Sequence, residues 1–247
     1  MKVSVVIPIH NGLQYIEQCL SSIKNQEINN VDIEILLIDD ASTDGLEKKI
    51  DFIKNKLDLQ NLIYIRNDKN KKTAETRNIG IKKASGDYIA FLDADDWWEK
   101  DKLKKQIELI EKTGAKFVYT ARKNVYNDRE KTLTCLEKVN FNDILINNHI
   151  TCSSVLIKSE ISKTNLMSHP ELGEDYINWL QILQKIPYAY GINEPLVNYR
   201  VQSGTLSSNK LKQLIRRWKI MKLFKIPFLK RILYLFTYSF TGLLKYI

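Results

Sequence analysis

Asp93-Ala94-Asp95-Asp96 puts three carboxylates into four residues directly after the apolar run Tyr88–Leu92. Carboxylates this close repel one another, which raises their pKa values and costs stability unless a cation or a donor compensates. Hard divalent ions such as Mg²⁺ and Mn²⁺ take such oxygen ligands, usually one or two carboxylates completed by substrate phosphates. The cluster reads as a metal–diphosphate site. A second acidic pair, Asp39-Asp40, ends the run Ile33–Ile38. On residue types alone it is more simply a solvated loop that, with Ser42, starts a helix. Glu174-Asp175 opens a helical stretch after Gly173, where the helix dipole favours acids whatever their function. Arg77 taken alone is as compatible with a surface charge as with a phosphate contact.

The segments carrying these groups alternate between two periods. Val3–Ile9, Ile33–Ile38, Leu62–Ile65, Tyr88–Leu92 and Phe117–Thr120 are short apolar runs that fit strands buried on both faces. Between them, Ile16/Cys19/Leu20/Ile23, Leu46/Ile50/Ile53/Leu57, Thr73–Ala84 and Leu103/Ile107/Ile110 mark helices. Repeated β-α units predict an α/β fold, a Rossmann-like and mostly parallel sheet with helices on both faces. Ligands of such sheets bind beyond the carboxyl ends of the strands, where the acids stand. Residues 121–150 are polar and irregular. Ser154–Ile157 reads as a further strand and Tyr176–Ile186 as a helix stopped by Pro187.

The chain of 247 residues has 38 Lys+Arg against 29 Asp+Glu, a net charge of +9. Ten of those cations and no acid fall in residues 210–247, leaving 28 basic and 29 acidic residues elsewhere. This is a neutral domain with a basic tail, and Ser203–Asn209 reads as the boundary. Leu211, Leu214, Ile215, Trp218 and Met221, then Leu229, Ile232, Leu233, Phe236, Phe240, Leu243, Leu244 and Ile247, give two amphipathic helices around Pro227. They fit the surface of an anionic membrane first, packing on the domain second and nucleic acid last. No run is long enough to span a bilayer, and no secretory pattern opens the chain. Cys19, Cys135 and Cys152 form no CxxC pair and suggest a reducing compartment. Trp97 and Trp98 read as packing, and the histidines lack ligand spacing.

Taken in order, Val3-Ser-Val-Val-Ile-Pro-Ile-His-Asn11, Ile38-Asp-Asp-Ala-Ser-Thr-Asp44, Arg77-Asn-Ile-Gly80, Ala84-Ser-Gly-Asp-Tyr-Ile89, Phe91-Leu-Asp-Ala-Asp-Asp96, Gly173-Glu-Asp175 and Tyr199-Arg200 resemble glycosyltransferase family 2. The resemblance covers residues 1 to about 208. It implies a GT-A fold with a nucleotide-sugar half (about 1–120), an acceptor half (about 121–208) and a membrane-surface tail (209–247). It implies an inverting, metal-dependent hexosyltransferase. The donor would be a UDP-sugar and the acceptor a glycan hydroxyl, carried on a lipid during synthesis of lipopolysaccharide O-antigen, capsule or a related surface polysaccharide. Pro8, His10, Asn11, Asp40, Arg77, Asp93, Ala94 and Arg200 would bind the nucleotide sugar, with Asp40 on the uracil imide. Asp95 would ligate Mn²⁺ or Mg²⁺ directly, and Asp93 would touch the ribose or metal-bound water. Asp175 would be the base and Glu174 its supporting partner. The enzyme would work peripherally, on the cytoplasmic face of the cell membrane, with no nucleic-acid partner.

The pattern departs from the family at Gln181 and at Gln202, which stands where histidine is common, and Thr205–Ser208 is a candidate lid. The departures leave a decayed, membrane-bound nucleotide-binding adaptor as an alternative. The acid-ended strands leave a metal-dependent phosphatase as another.

Overall fold

The computed structural model describes residues 1–201 and 210–244. Its centre is the first apolar run. β1 (Lys2–Ile9) pairs in parallel with β2 (Asp32–Asp39) on one side and β4 (Tyr88–Phe91) on the other, and β2 pairs with β3 (Leu62–Arg66). Helices α1 (Leu13–Lys24), α2 (Leu46–Lys56) and α3 (Lys72–Lys83) make the crossovers. Side chains alternate across β1, so Val3, Val5 and Ile7 bury against one set of helices and Val6 against the other. A Cβ on Gly80 of α3 would collide with Val6 Cγ1, so a glycine is what allows that helix so close to the sheet.

Beyond β4 the order changes. The strands are β5 (Trp97–Trp98), β6 (Phe117–Val125), β7 (Glu130–Leu133), β8 (Lys138–Val139), β9 (Leu156–Lys158) and β10 (Ala189–Arg200). The helices are α4 (Lys102–Thr113), α5 (Phe141–Ile146), α6 (Ser159–Thr164) and α7 (Glu174–Leu183). The sheet runs β3-β2-β1-β4-β9-β6-β10-β5, with β7 on β6 and β8 on β10. The expected parallel order holds through β3-β2-β1-β4 and again between β6 and β10. β9 is antiparallel to both of its neighbours. Ser153, in the turn before β9, accepts from the Asp93 N–H just past β4, so β9 starts beside the end of β4.

Several elements differ from the sequence expectation. β10 was not expected, because Asn193-Glu194-Pro195 breaks its pattern, and its pairing with β6 shifts register there. Cys152–Ser154 forms a 3₁₀ turn rather than the start of a strand. The helix expected over 176–186 begins at Glu174 and ends at Leu183.

The tail forms α8 (Lys210–Leu223) and α9 (Phe228–Leu244). Ile220 and Met221 are buried in the core beneath α5 and α7, and Phe224 meets Phe141 edge-on at 5.6 Å. The outer side of α9 presents Leu229, Ile232, Leu233 and Phe236 at helical spacing, with Leu229 78% and Phe236 71% exposed. Packing and an open apolar face therefore coexist. Among the described residues no helix is long and apolar enough to cross a membrane. Gln202, the candidate lid Thr205–Ser208 and the boundary Ser203–Asn209 lie outside the described residues.

Candidate active site

The carboxyl ends of β1, β2 and β4 open into a cavity of about 510 Å³. Pro8, His10, Asn11, Asp40, Arg77, Asp93, Ala94, Asp95 and Glu174 line it, together with Gly12, Gln14, Tyr15, Thr76 and Tyr199. A second cavity of about 470 Å³ adjoins it, bounded by β6, β7, residues 147–152 and Asp175. Asp93 and Tyr199 line both, so they form the wall between the two spaces. Of the sequence-predicted residues, eight of the nucleotide, metal and acceptor-side group plus Glu174 reach the first cavity, and Asp175 faces the second.

Each donor-side group is held by its strand end. Asp39 turns inward and accepts from Ser42 N (2.8 Å), Tyr64 OH (2.6 Å) and Arg66 Nη1 (2.7 Å). Burial would raise its pKa, but these donors hold it below the usual range. Asp40 accepts from Asn67 Nδ2 (2.8 Å) and from the backbone N–H groups of Lys71 (2.7 Å) and Lys72 (2.9 Å). It thus caps α3, whose own N-cap residue offers no side chain. Burial works against its ionisation and those donors more than offset it, so its pKa is also lowered. Three donors leave part of the carboxylate's acceptor capacity for a ligand. His10 Nδ1 lies 2.9 Å from the Asp40 carbonyl, which can only accept, so Nδ1 carries the proton. Asn11 adopts φ 54, a conformation asparagine tolerates, and its Oδ1 accepts from Thr43 N at 2.7 Å.

Arg77 lies at the centre of the acids. Its Nη2 donates to Asp93 Oδ1 (2.5 Å) and its Nη1 to Glu174 Oε1 (2.9 Å), while the side chain is only 6% exposed. Burial alone would lower its pKa; Asp93 and the other acids reverse the direction and keep it charged. Glu174 is therefore paired with Arg77 on the donor side. The Asp175 Oδ1 accepts from Tyr176 N at 2.7 Å.

Asp96 is fully buried. It accepts from Ser153 Oγ (2.6 Å) and Arg200 N (3.0 Å), and burial followed by the Asp93 and Asp95 charges pushes its pKa up. Arg200 runs behind Asp95 and does not line the first cavity. Its Nε donates to the Asp95 carbonyl (3.0 Å), its Nη2 to Gln18 Oε1 (2.6 Å), and it stacks over Tyr15 and Trp97 at 4.7 and 4.8 Å. Trp98 is buried, with Nε1 donating to the Ser153 carbonyl (2.8 Å). Cys19 and Cys152 are buried thiols whose pKa values burial raises.

Asp93 and Asp95 are the carboxylates through which the donor cavity can take a divalent ion. Among the described residues no third His, Cys, Asp or Glu converges with them into a metal-holding group. Two carboxylates are the set Mg²⁺ or Mn²⁺ takes when phosphate oxygens complete its shell, so the residues fit. Sequence reasoning missed Tyr199 as a wall residue, although it had marked the Tyr-Arg pair. It also missed Arg122 and Ser153, which carry no local signal.

The surroundings of Asp175 depend on the tail. Arg216 Nε donates to the Leu172 carbonyl (2.7 Å), and a Cβ on Gly173 (φ 86) would collide with the Arg216 guanidinium. Arg217 Nη1 donates to the Ile146 carbonyl (2.7 Å) and stacks over Tyr238 at 3.7 Å. Consecutive tail arginines thus hold the loop before Asp175 and the end of α5.

Residues 4–156 match the family model described as Glycosyl transferase family 2. The chain is 35% identical over 99% of its length to the Escherichia coli UDP-Glc:alpha-D-GlcNAc-diphosphoundecaprenol beta-1,3-glucosyltransferase WfaP, covering 95% of that protein. Staphylococcus aureus TarS 1-349 in complex with UDP-GlcNAc superimposes with a TM-score of 0.75 at 20% identity, over 95% of this chain and 69% of that one. The mannosyltransferase PcManGT of Pyrobaculum calidifontis, in complex with GDP-Man and Mn²⁺, gives 0.62 at 19%, over 89% and 61%. These two likenesses establish the fold. The family match excludes the phosphatase alternative, and with an acid-lined double cavity at the strand ends it shows that the chain belongs to glycosyl transferase family 2.

Proposed function

We propose that the protein transfers a sugar from a UDP-sugar to a hydroxyl of a lipid-linked glycan during surface-polysaccharide assembly, with inversion at the anomeric carbon. The observation that carries this is the shared wall: Asp93 faces both cavities, and Asp175 lines the one away from the donor acids. The WfaP name, with its diphosphoundecaprenol acceptor, supports the lipid carrier.

The donor lies in the first cavity, its uracil edge toward Asp40, between Pro8–Asn11 and Ala94. Asp95 with Asp93 would hold Mn²⁺ or Mg²⁺, which when bound supplies positive charge to the departing diphosphate. Arg77, paired with Asp93, fixes where that carboxylate points. Asp175 takes the proton of the acceptor hydroxyl as its oxygen bonds to the anomeric carbon, and the C–O bond to UDP breaks with its electrons leaving on UDP. Residues 1–208 act as the catalytic domain and 209–247 as the membrane-surface segment. The exposed Leu229, Ile232, Leu233 and Phe236, beside Lys222, Lys225 and Lys230, suit an anionic leaflet on the cytoplasmic face.

The test is transfer itself. Purified protein, a panel of UDP-sugars, Mn²⁺ and short-chain lipid-linked glycans should yield a glycosylated lipid with inverted linkage by NMR. UDP should bind more tightly with Mn²⁺ than without, and Asp95→Asn should abolish that difference. No transfer from any UDP-sugar would remove the activity; equal UDP affinity with and without Mn²⁺ would remove the metal. Anionic vesicles should sediment the full chain.

A further inference from the structure

The second cavity holds cations that the transfer step does not use. Arg122 on β6 and Lys131 on β7 both line it. The antiparallel register sets Arg122 opposite Leu133 and Asn124 opposite Lys131, so Arg122 and Lys131 are diagonal neighbours on one face of the hairpin. Diagonal positions lie about 7–8 Å apart, and like charges there repel.

Neither cation is balanced as its neighbours are. Arg66 and Arg77 each have a carboxylate partner, and Lys123, on the other face of the same hairpin, pairs with Glu130 at 3.1 Å. Arg122 has no carboxylate within ion-pair distance among the described residues. Its hydrogen bond to Thr151 Oγ1 (2.6 Å) uses one of five N–H donors, and its plane stacks over Tyr199 at 4.5 Å. The Lys131 side chain makes no ion pair or hydrogen bond among the described residues. Burial pulls the Arg122 pKa down, with Tyr199, Asp96 and Asp175 opposing, so the site has drawn a guanidinium partly out of water without a contact acid.

We infer that the Arg122/Lys131 face of the β6–β7 hairpin is the seat of the acceptor's diphosphate. This rests on the proposed reading that the acceptor is a lipid-linked glycan. The cavity is then divided by charge. The sugar hydroxyl, which must lose a proton, meets Asp175, and the anionic link to the lipid meets the cations. A stacked guanidinium presents a planar fork of donors to phosphate oxygens, whereas Lys131 supplies a point charge near the rim. The donor's diphosphate is served from the other side of Asp93, so the two anions do not compete for one set of groups.

The experiment titrates decyl-diphosphate-linked α-GlcNAc, and separately decyl α-GlcNAc without the diphosphate, onto protein saturated with UDP and Mn²⁺. The diphosphate compound should bind wild type at least about tenfold more tightly than the neutral one. Arg122→Gln should erase that margin and Lys131→Gln should cut it about threefold, both with UDP affinity unchanged. Lys131 is exposed, so its variant keeps the test decisive should Arg122→Gln fail to fold. Equal binding of the two compounds to wild type, binding of neither, or a margin that survives Lys131→Gln and any folded Arg122→Gln would overturn the inference. A fall in UDP affinity in Arg122→Gln would move that residue to the donor site and also overturn it. Failure of wild type to bind UDP at all would instead sink the proposed function.

Discussion

Asp95 and Asp175 are acids at the edges of adjoining cavities, but different forces place them. Asp95 follows β4, a wholly buried apolar strand paired in register with β1, so its position is set by the local β-α framework. Asp175 stands on the first turn of α7, after a left-handed glycine that Arg216 from the tail packs against. The half carrying Asp95, proposed to bind the donor, is held by its own strands; the half carrying Asp175, proposed to bind the acceptor, is held by distant pieces of chain. The first should tolerate loss of the tail and the second should not.

The largest effect is expected where the halves meet in the reaction. With Asp175 as the proposed base, Asp175→Asn should lower turnover by about 10²–10⁴-fold, because proton removal is lost while the first cavity is untouched. UDP affinity, measured by calorimetry, should stay within about twofold of wild type, since Asp175 lines the acceptor cavity alone. Turnover near wild type would take Asp175 out of the mechanism.

Arg77 tests the seam between the halves. Replacing it with Gln leaves Asp93 and Glu174 without their shared partner, and breaking a buried pair this way costs about 3–5 kcal/mol. Urea unfolding should show that loss, and UDP affinity should fall with it because Asp93 loses its aim. A variant as stable as wild type would show that the two ion pairs contribute nothing net.

The same division explains what was readable in the sequence. In the donor half, β-α periodicity and strand-end acids are local signals, and β1 to β4 with α1 to α3 follow from them. Asp40 illustrates the limit even there, because its capping of Lys71 and Lys72 reaches across α2 and β3 in the chain. In the acceptor half, β10 carries a proline and two register shifts, so alternation fails within a single strand. The Arg77–Glu174 pair joins residues 97 apart, and no window of sequence contains both. Arg122 looked like one of many cations until pairing with β7 gave it a face. The tail's two roles were likewise hidden, since periodicity shows an apolar stripe but not which side of it is covered.

Arg217 measures how far the acceptor half depends on that covering. It donates to the Ile146 carbonyl at the end of α5, directly before the 147–152 wall. Arg217→Ala should raise the acceptor KM several-fold, with kcat and UDP affinity little changed, as expected from losing a charged hydrogen bond that positions a wall. A chain ending near Asn209 should show the same split more strongly. Equal acceptor KM in Arg217→Ala and wild type would show that the Arg217 contact with α5 has no part in acceptor binding.

The smallest effect concerns the far end of the donor half, away from both cavities. Glu34 on β2 is buried and accepts from Ser4 Oγ on β1, Ser85 N (2.5 Å) and Ser85 Oγ (2.7 Å), with Lys2 at 3.3 Å. Burial by itself would raise its pKa, but those hydrogen bonds, joined by the Lys2 charge, lower it from 4.5 to about 2. A carboxylate depressed on folding stabilises fully above its unfolded pKa, and the contribution is lost as pH falls through the folded value. Glu34 should thus add on the order of 3 kcal/mol at neutral pH, declining between about pH 5 and pH 2. Glu34→Gln should be less stable than wild type by that amount at pH 7, and the gap in urea midpoints should close in acid. Because the residue only ties β1, β2 and the Ser85 turn together, transfer and UDP binding should be unaffected where both proteins are folded. A stability gap independent of pH would mean that the loss comes from packing rather than from the charge.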